Sequence, residues 1–520
     1  MDSAADRMIA LPDDVLVLIL EKLGSACEAI RTCSLVSRRW SQLPWLLPEP
    51  KISIGDFLPQ GTELYELDPA EAQLGQAMGA FCRAVSSFMA NATETSTTTR
   101  CLSLDFCLAN GCLPTVQRLL GGDGRTTAAR KVGALQLTLR TAADEEDVGE
   151  ALMRRYARRF ERFMAACPGA FRLLTGLELW NLWLGSASVA AVLGACPRLG
   201  RLALRHCYGA RGEALVVDAP PRSALAELAL DMCFYRLVVV RSAPELTRLA
   251  CDMWSAARAP LSLRGVPRLE TLVLSNPASA AIEGFRLSKL LANASLRRLS
   301  LNFHGEKIWI HQEPPRLLRA AFGKLTSLSI VGIPEQCDLL CIMFLLEAAP
   351  FLQEFSVGVQ KHFCHGEEYS DERKCKVHWT QSNFRHNHLK NLQVFGFEVE
   401  DKYMTFVRLV MERATNLKTV ILADEEPCQE CDFASDPASS SLAAFDFLYT
   451  DYDMRRIYAV GFYKDLTVHI ILSAATPPQS LRSRLAARAI QCRRRASLVF
   501  GVRPLRAPPE TGTPCHRCHH

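Results

Sequence analysis

The feature that most constrains this chain is a short apolar-x-apolar motif that keeps returning. It reads Leu102-Ser103-Leu104, Leu137-Thr138-Leu139, Leu177-Glu178-Leu179, Leu202-Ala203-Leu204, Leu228-Ala229-Leu230, Leu261-Ser262-Leu263, Leu272-Val273-Leu274, Leu299-Ser300-Leu301 and Leu328-Ser329-Ile330. Phe355-Ser356-Val357, Leu392-Gln393-Val394 and Val420-Ile421-Leu422 continue it. Several spacings fall at roughly 23–29 residues. A Pro-x-Leu precedes some of the motifs, as in Pro197-Arg198-Leu199, Pro244-Glu245-Leu246, Pro267-Arg268-Leu269 and Pro350-Phe351-Leu352. Each unit reads as short strand, loop and apolar helix-like segment. Its apolar edge can be covered only by a neighbouring unit, so the units must stack.

This is the pattern of irregular leucine-rich repeats. The expected fold is an α/β leucine-rich-repeat solenoid over residues 101–425, with parallel strands on the concave side. The apolar pair of each strand points into the stack, so the residues between and after it point outward. Among them Asp105, Arg140, Trp180, Arg205, Asp231, Arg264 and Asn302 are the candidate target-binding residues. This row mixes small residues with both charge signs and lacks a His/carboxylate cluster for proton transfer. It suits a protein ligand better than a substrate undergoing chemistry.

Apolar residues make up 49% of the 520 and charged residues 22%, enough for a large core. Sixty basic against 55 acidic residues leave +5, too small an excess for nucleic-acid or membrane binding by the whole chain. Twenty cysteines are scattered, mostly in apolar runs, as at Cys101, Cys107, Cys196 and Cys341. They read as buried thiols in a reducing compartment, nucleus or cytoplasm, and not as a disulfide framework. The N-terminus lacks the basic start and apolar run of a signal peptide, and no apolar run reaches the ~20 residues of a membrane span. Asn91-Ala92-Thr93 and Asn293-Ala294-Ser295 match the glycosylation acceptor pattern and are read as chance matches.

Residues 8–48 predict a small three-helix module. Pro12 suits a first helical position, and Asp13 and Asp14 suit the positive dipole end. Leu16, Ile19, Leu20 and Leu23 recur at helical spacing, Gly24 can end the helix, and Ser25 can cap a second. A third helix is expected from about Thr32 to Trp40. So small a unit cannot bury all its leucines, so some apolar surface must meet a partner or the next domain. Leu11-Pro12-Asp13-Asp14-Val15-Leu16, followed by Val36-Ser37-Arg38-Arg39-Trp40, resembles an F-box. The resemblance implies docking on the Skp-type adaptor of cullin-based ubiquitin ligases. It implies that Leu11, Pro12, Leu16, Ile19, Leu20, Leu23, Val36 and Trp40 divide between the module's core and the adaptor contact. Leu11 and Pro12 are the best candidates for direct contact.

Residues 49–100 are expected to connect module and array through one amphipathic helix, Glu71–Ala92. Near the far end, His386-Asn387-His388-Leu389-Lys390 leads to Gly396-Phe397 and a helix-like run, Tyr403–Ala414. Residues 384–425 are thus similar to the FBD-like end of plant F-box/leucine-rich-repeat proteins, a resemblance that implies no chemistry. Residues 426–475 read as an extension ending in a strand, Leu466–Leu472. Residues 476–520 form a basic tail with Arg493-Arg494-Arg495, expected to be disordered or one loose helix.

Three groups have metal-like composition: Cys428 with Cys431, Cys364-His365 with Cys375 and His378, and Cys515-His516 with Cys518-His519-His520. None follows a familiar four-ligand spacing, so no metal and no cofactor are expected. The chain carries no Gly-rich phosphate loop, GxSxG elbow or HExxH motif. The function expected is therefore non-catalytic: the substrate-recognition subunit of a Skp-cullin-F-box ubiquitin ligase, with an unknown protein target. The alternatives are a non-ligase scaffold for protein interaction, or RNA binding through the Arg-rich tail.

Overall fold

Alternation along each strand decides which side chains are buried, and in-register stacking turns that alternation into continuous apolar columns. The computed structural model describes residues 11–23, 25–59, 72–94, 99–108, 113–120, 132–141, 149–210, 212–277, 283–360, 382–423, 467–472 and 498–502. Two units divide the chain: Met1–Asn276 with Ala280–Arg297, and Pro277–Ser279 with Arg298–His520.

The first unit opens with helices α1 (Asp13–Leu20) and α2 (Ala26–Ser34) and a 3-10 turn, Trp40–Leu46. Ser25 caps α2, its hydroxyl accepting from the N–H groups of Cys27 and Glu28 at 3.1 and 3.4 Å. The third helix expected over Thr32–Trp40 is not formed: α2 runs on to Ser34, and the helical turn begins only at Trp40.

Then come β1 (Lys51–Ser53), α3 (Ala72–Glu94), β2 (Thr99–Cys107), α4 (Leu113–Leu120) and β3 (Val132–Arg140). Next are α5 (Glu150–Ala166), α6 (Pro168–Arg172), β4 (Leu174–Trp180), α7 (Ser186–Ala195) and β5 (Arg201–Arg205). Helix α3 buries Leu74, Met78, Phe81, Val85, Phe88 and Met89, the stripe expected from its periodicity. Strand β1 pairs in parallel with β2, so the sheet begins at Lys51, inside the segment expected only to connect.

From β5 onward strands replace the helices. β6 (Ala214–Asp218), β7 (Glu227–Asp231), β8 (Leu237–Ser242), β9 (Arg248–Asp252), β10 (Leu261–Leu263), β11 (Thr271–Ser275) and the short α8 (Leu287–Leu290) complete the unit. The main parallel sheet of this unit runs β1-β2-β3-β4-β5-β7-β9-β11, while β6, β8 and β10 form a separate parallel sheet. The segments between these main strands carry strand alternation in place of a helical apolar stripe. Their alternating Leu215/Val217, Val238/Val240 and Leu261/Leu263 bury one face of a strand instead. Helix α7 meets the edge strand of that sheet: the Ser186 hydroxyl accepts from Val216 N–H at 2.9 Å, which covers part of an open edge.

In the main sheet Leu104, Leu137, Leu177, Leu202, Leu228, Leu249 and Leu272 align rung by rung, each at most 2% exposed. Each buried leucine stabilises by about 1.5–3 kcal/mol against remaining in water. After β4, β5, β7 and β9 the chain turns through Asn181, His206, Met232 and Met253, all with φ between 47 and 57°. Each of these residues sends its N–H to the last carbonyl of the next strand, at 2.8–3.1 Å, so the ladder continues through the corner.

The second unit contains β12 (Arg298–Asn302), α9 (Arg319–Phe322), β13 (Ser327–Pro334), α10 (Met343–Ala348), β14 (Glu354–Gln360), β15 (Asn391–Phe395), α11 (Asp401–Arg413), β16 (Thr419–Ala423), β17 (Thr467–Leu472) and β18 (Leu498–Val502). Its strands follow chain order in parallel, with Leu299, Leu328, Phe355, Leu392 and Val420 in one column. Strand β18 lies within the tail expected to be disordered or helical; it pairs in parallel with β17 through Leu498, Val499 and Phe500, an apolar run between the arginines.

Candidate functional site

The helical module is anchored to the first rung. Trp45 packs on Phe88 of α3 at 5.7 Å between ring centroids, and the Ser25 hydroxyl donates to Asp56 Oδ2 at 2.9 Å. Burial, with the Asp56 carboxylate beside it, pushes the Cys27 thiol up to about 12. The twelve described cysteines are thiols, eleven of them buried, in keeping with small apolar fillers. Asn293 donates from Nδ2 to Leu263 O at 3.2 Å, so this acceptor-pattern asparagine serves the fold.

Helix α1 is apolar on nearly every side, so its periodicity could not say which leucines face inward. The structure divides them. Leu16 and Leu20, one turn apart, are 0% and 3% exposed, and Trp40 is also buried. These three, which the sequence left divided between the module's core and the adaptor contact, pack inside the module. Ile19 and Val36 face water, Pro12 is exposed and Leu11 is half-buried; the side chain of Leu23 lies outside the described residues. Three residues that sequence reasoning missed are also exposed: Val15, Leu18 at 58% and Leu35 at 88%. Val15, Leu18 and Ile19 share one face of α1 by their i, i+3 and i+4 spacing. Large apolar groups exposed on so small a module form its candidate docking surface.

The open face of the first unit's main sheet carries the second candidate region. Trp180 and Arg205 are paired residues on β4 and β5, and Arg205, Asp231 and Asp252 continue that rung across β7 and β9. The side chains form one network. Arg140 Nε donates to Asp105 Oδ1 at 2.9 Å, and its guanidinium carbon stands 4.7 Å from the Trp180 ring centroid. Arg205 approaches the same ring at 5.0 Å. Glu178 Oε1 accepts from both Trp180 Nε1 and Arg205 Nε, at 2.9 and 2.8 Å. Arg205 also pairs with Asp231. Burial pushes the Asp231 carboxyl up; Arg205 pulls it down and the Asp252 charge adds to the rise. At the end of this row Asp252 Oδ1 is buried without a hydrogen-bond partner.

Five of the seven residues expected on the concave row thus meet in one network: Asp105, Arg140, Trp180, Arg205 and Asp231. Arg264 does not. It follows β10, which belongs to the three-stranded sheet, because Leu261-Ser262-Leu263 has the strand motif without being a main-sheet rung. Asn302 lies in the second unit, where its Oδ1 accepts from His304 N–H at 3.0 Å and shapes its own turn. Strand β9, with Asp252, escaped notice because Leu249-Ala250-Cys251 ends in cysteine; Pro244-Glu245-Leu246 just before it was the signal that could have found it.

All three metal-like groups lie outside the described residues. Among the described residues no helix is long and apolar enough to cross a membrane.

An N-terminal helical module with exposed leucines, followed by stacked parallel strands, defines an F-box/leucine-rich-repeat protein. A family model described as F-box-like matches residues 8–44. A second, described as At1g61320/AtMIF1, LRR domain, matches residues 163–444, more than half of the chain, and the chain belongs to that family. No curated protein matches it.

Proposed function

We propose that this protein is the substrate-recognition subunit of a Skp-cullin-F-box ubiquitin ligase. The observation that carries this reading is the exposure of Val15, Leu18, Ile19, Leu35 and Val36 on a module that is otherwise packed and anchored. The module docks on the Skp-type adaptor, which links it to the cullin, in the nucleus or cytoplasm. The open face around Trp180 and Arg205 holds a target protein. Its guanidinium groups are already oriented by carboxylates, so less side-chain freedom is lost on binding. The protein itself makes and breaks no covalent bond; tethering the target raises its effective concentration at the ligase.

Co-purification of the full chain with a Skp-type adaptor and cullin tests this reading. Leu18→Asp with Leu35→Asp is expected to abolish capture while the fold survives. Undiminished capture by that variant, or none by the wild type, overturns it.

A further inference from the structure

The turn before each main strand places equivalent residues of successive repeats one rung apart, and in the first unit those rungs carry opposite charges. Glu245 and Arg268, each just before a turn leucine, form an ion pair. Glu270 and Arg297, each just after one, pair at 3.1 Å, and Arg297 N–H donates to Glu270 O at 2.8 Å. Arg201, Glu227 and Arg248 alternate in sign across three strands, with contacts of 4.0 and 3.3 Å.

The second unit departs from this pattern at one place. Lys390 and Lys418 follow the turn leucines Leu389 and Leu417, and Lys418 N–H donates to Lys390 O at 2.8 Å. That is the backbone relation of Arg297 to Glu270, yet here both residues are cations. Neighbouring parallel strands stand only about 4.8 Å apart, and like charges on adjacent rungs repel. Lys390 Nζ donates to the neutral Gln353 Oε1 at 3.2 Å. His388, just before Leu389, adds an imidazole whose ring lies 5.1 Å from the exposed Phe351.

These three side chains, Lys390, Lys418 and His388, line a cavity of about 810 Å³ with Asn387, Thr415, Asn416 and Leu417, and among the described residues no carboxylate lines it. The polar groups join its two turns: Thr415 Oγ1 donates to Asn387 Oδ1 at 3.0 Å and Asn416 Nδ2 to Asn387 O at 2.6 Å. We propose that this cavity is an oxyanion site that takes a phosphate monoester between Lys390 and Lys418, with His388 at its rim. A phosphate monoester brings a charge of about −1.5 to −2 and three acceptor oxygens, which matches the two positive charges that lysines on adjacent rungs carry; one carboxylate would neutralise only one of them. The volume exceeds that of phosphate and leaves room for the group that carries it. The site is independent of adaptor docking.

Calorimetric titration of the full chain with O-phosphoserine, inorganic phosphate and serine tests the proposal. Both phosphates are expected to bind and serine is not, and added salt should weaken the binding. Lys390→Gln with Lys418→Gln should lower affinity at least about 10-fold, as loss of two charge-assisted contacts would, and the Lys→Arg pair should retain it. Lys418→Gln alone, at an exposed side chain, serves if the double variant does not fold. A phosphoserine-bearing peptide that binds more tightly than O-phosphoserine identifies a modified protein as the source; equal affinity identifies a small phosphorylated molecule. Equal binding by the wild type and the Gln variants, or no binding by the wild type, overturns the site. Adaptor capture measured on the same preparations separates this outcome from any failure of the ligase reading.

Discussion

Arg39 reaches back across the helical module to Asp13: its Nε donates to Asp13 Oδ1 at 2.8 Å, and its NH2 group donates to the Leu11 carbonyl at 2.6 Å. The two ends of the F-box pattern are thereby held together, and Leu11 and Pro12 are fixed beside α1. Both side chains are substantially exposed, so the ion pair itself contributes little to stability. Arg39→Ala should cost under about 1 kcal/mol by thermal melting. It should still weaken adaptor capture several-fold in a titrated pull-down, because the chain at Leu11 loses its anchor.

Leu16 and Leu18 separate stability from docking. Leu16→Ala removes a fully buried side chain and should destabilise the module by about 2–5 kcal/mol. Leu18→Ala should change stability by no more than about 0.5 kcal/mol and still reduce adaptor capture. Denaturant melts and adaptor binding measured on both variants give this comparison.

Trp180 is the hub of the open-face network. Trp180→Ala should remove two cation–π contacts, each about 0.5–1 kcal/mol at a partly exposed site, and release Arg205. With the proteasome blocked, proteins retained by the wild type should be lost from this variant while the adaptor is retained. Unchanged recovery of every such protein would move target binding off this face.

His386 is buried, and its ring is held in one tautomer. Nδ1 accepts from Leu389 N–H at 3.1 Å, so Nε2 carries the proton and donates to Ala349 O at 2.7 Å. Burial lowers its pKa below the ordinary 6.5, with the nearby His388 adding to the fall and the bond to Ala349 opposing it. The unfolded chain therefore binds a proton more readily than the folded one. The stability that neutral His386 contributes is present above about pH 6.5 and is lost as the pH falls through the lower folded value. Melting temperature measured from pH 7.5 to about pH 5 should fall more steeply in the wild type than in His386→Gln. His386→Ala should cost about 2–3 kcal/mol, since it strands a buried N–H and a buried carbonyl.

Gly396 has φ +67°, and a Cβ there would overlap the Val359 carbonyl oxygen. Gly396→Ala should therefore destabilise the second unit by about 2 kcal/mol or more, seen as a lower denaturation midpoint.

The Gly-Phe turn and the His386 segment were legible as a motif, but their role was not. A sequence can show that His386, Leu389 and Gly396 recur in a pattern, not that the imidazole spans two turns. The main strands ending in paired leucines were legible because alternation and spacing both announce them. Leu261–Leu263 carried the same alternation and lies in the other sheet, since three residues state a strand but not its neighbours. On α1 the apolar residues outnumber the buried positions, so the F-box resemblance left Leu16 and Leu20 with Ile19 divided between core and contact and passed over Leu18.

The amino-acid sequence by itself determined that this chain must stack: its leucine rungs cannot be buried within one repeat, and its first helices carry more apolar surface than they can enclose. Tertiary structure alone decided which of those leucines turn outward, which strands share a sheet, and which charges meet across rungs. Burial pattern is a local property that each segment carries along its length. Partnership depends on register between segments some 25 residues apart, and that register exists only once the repeats have packed.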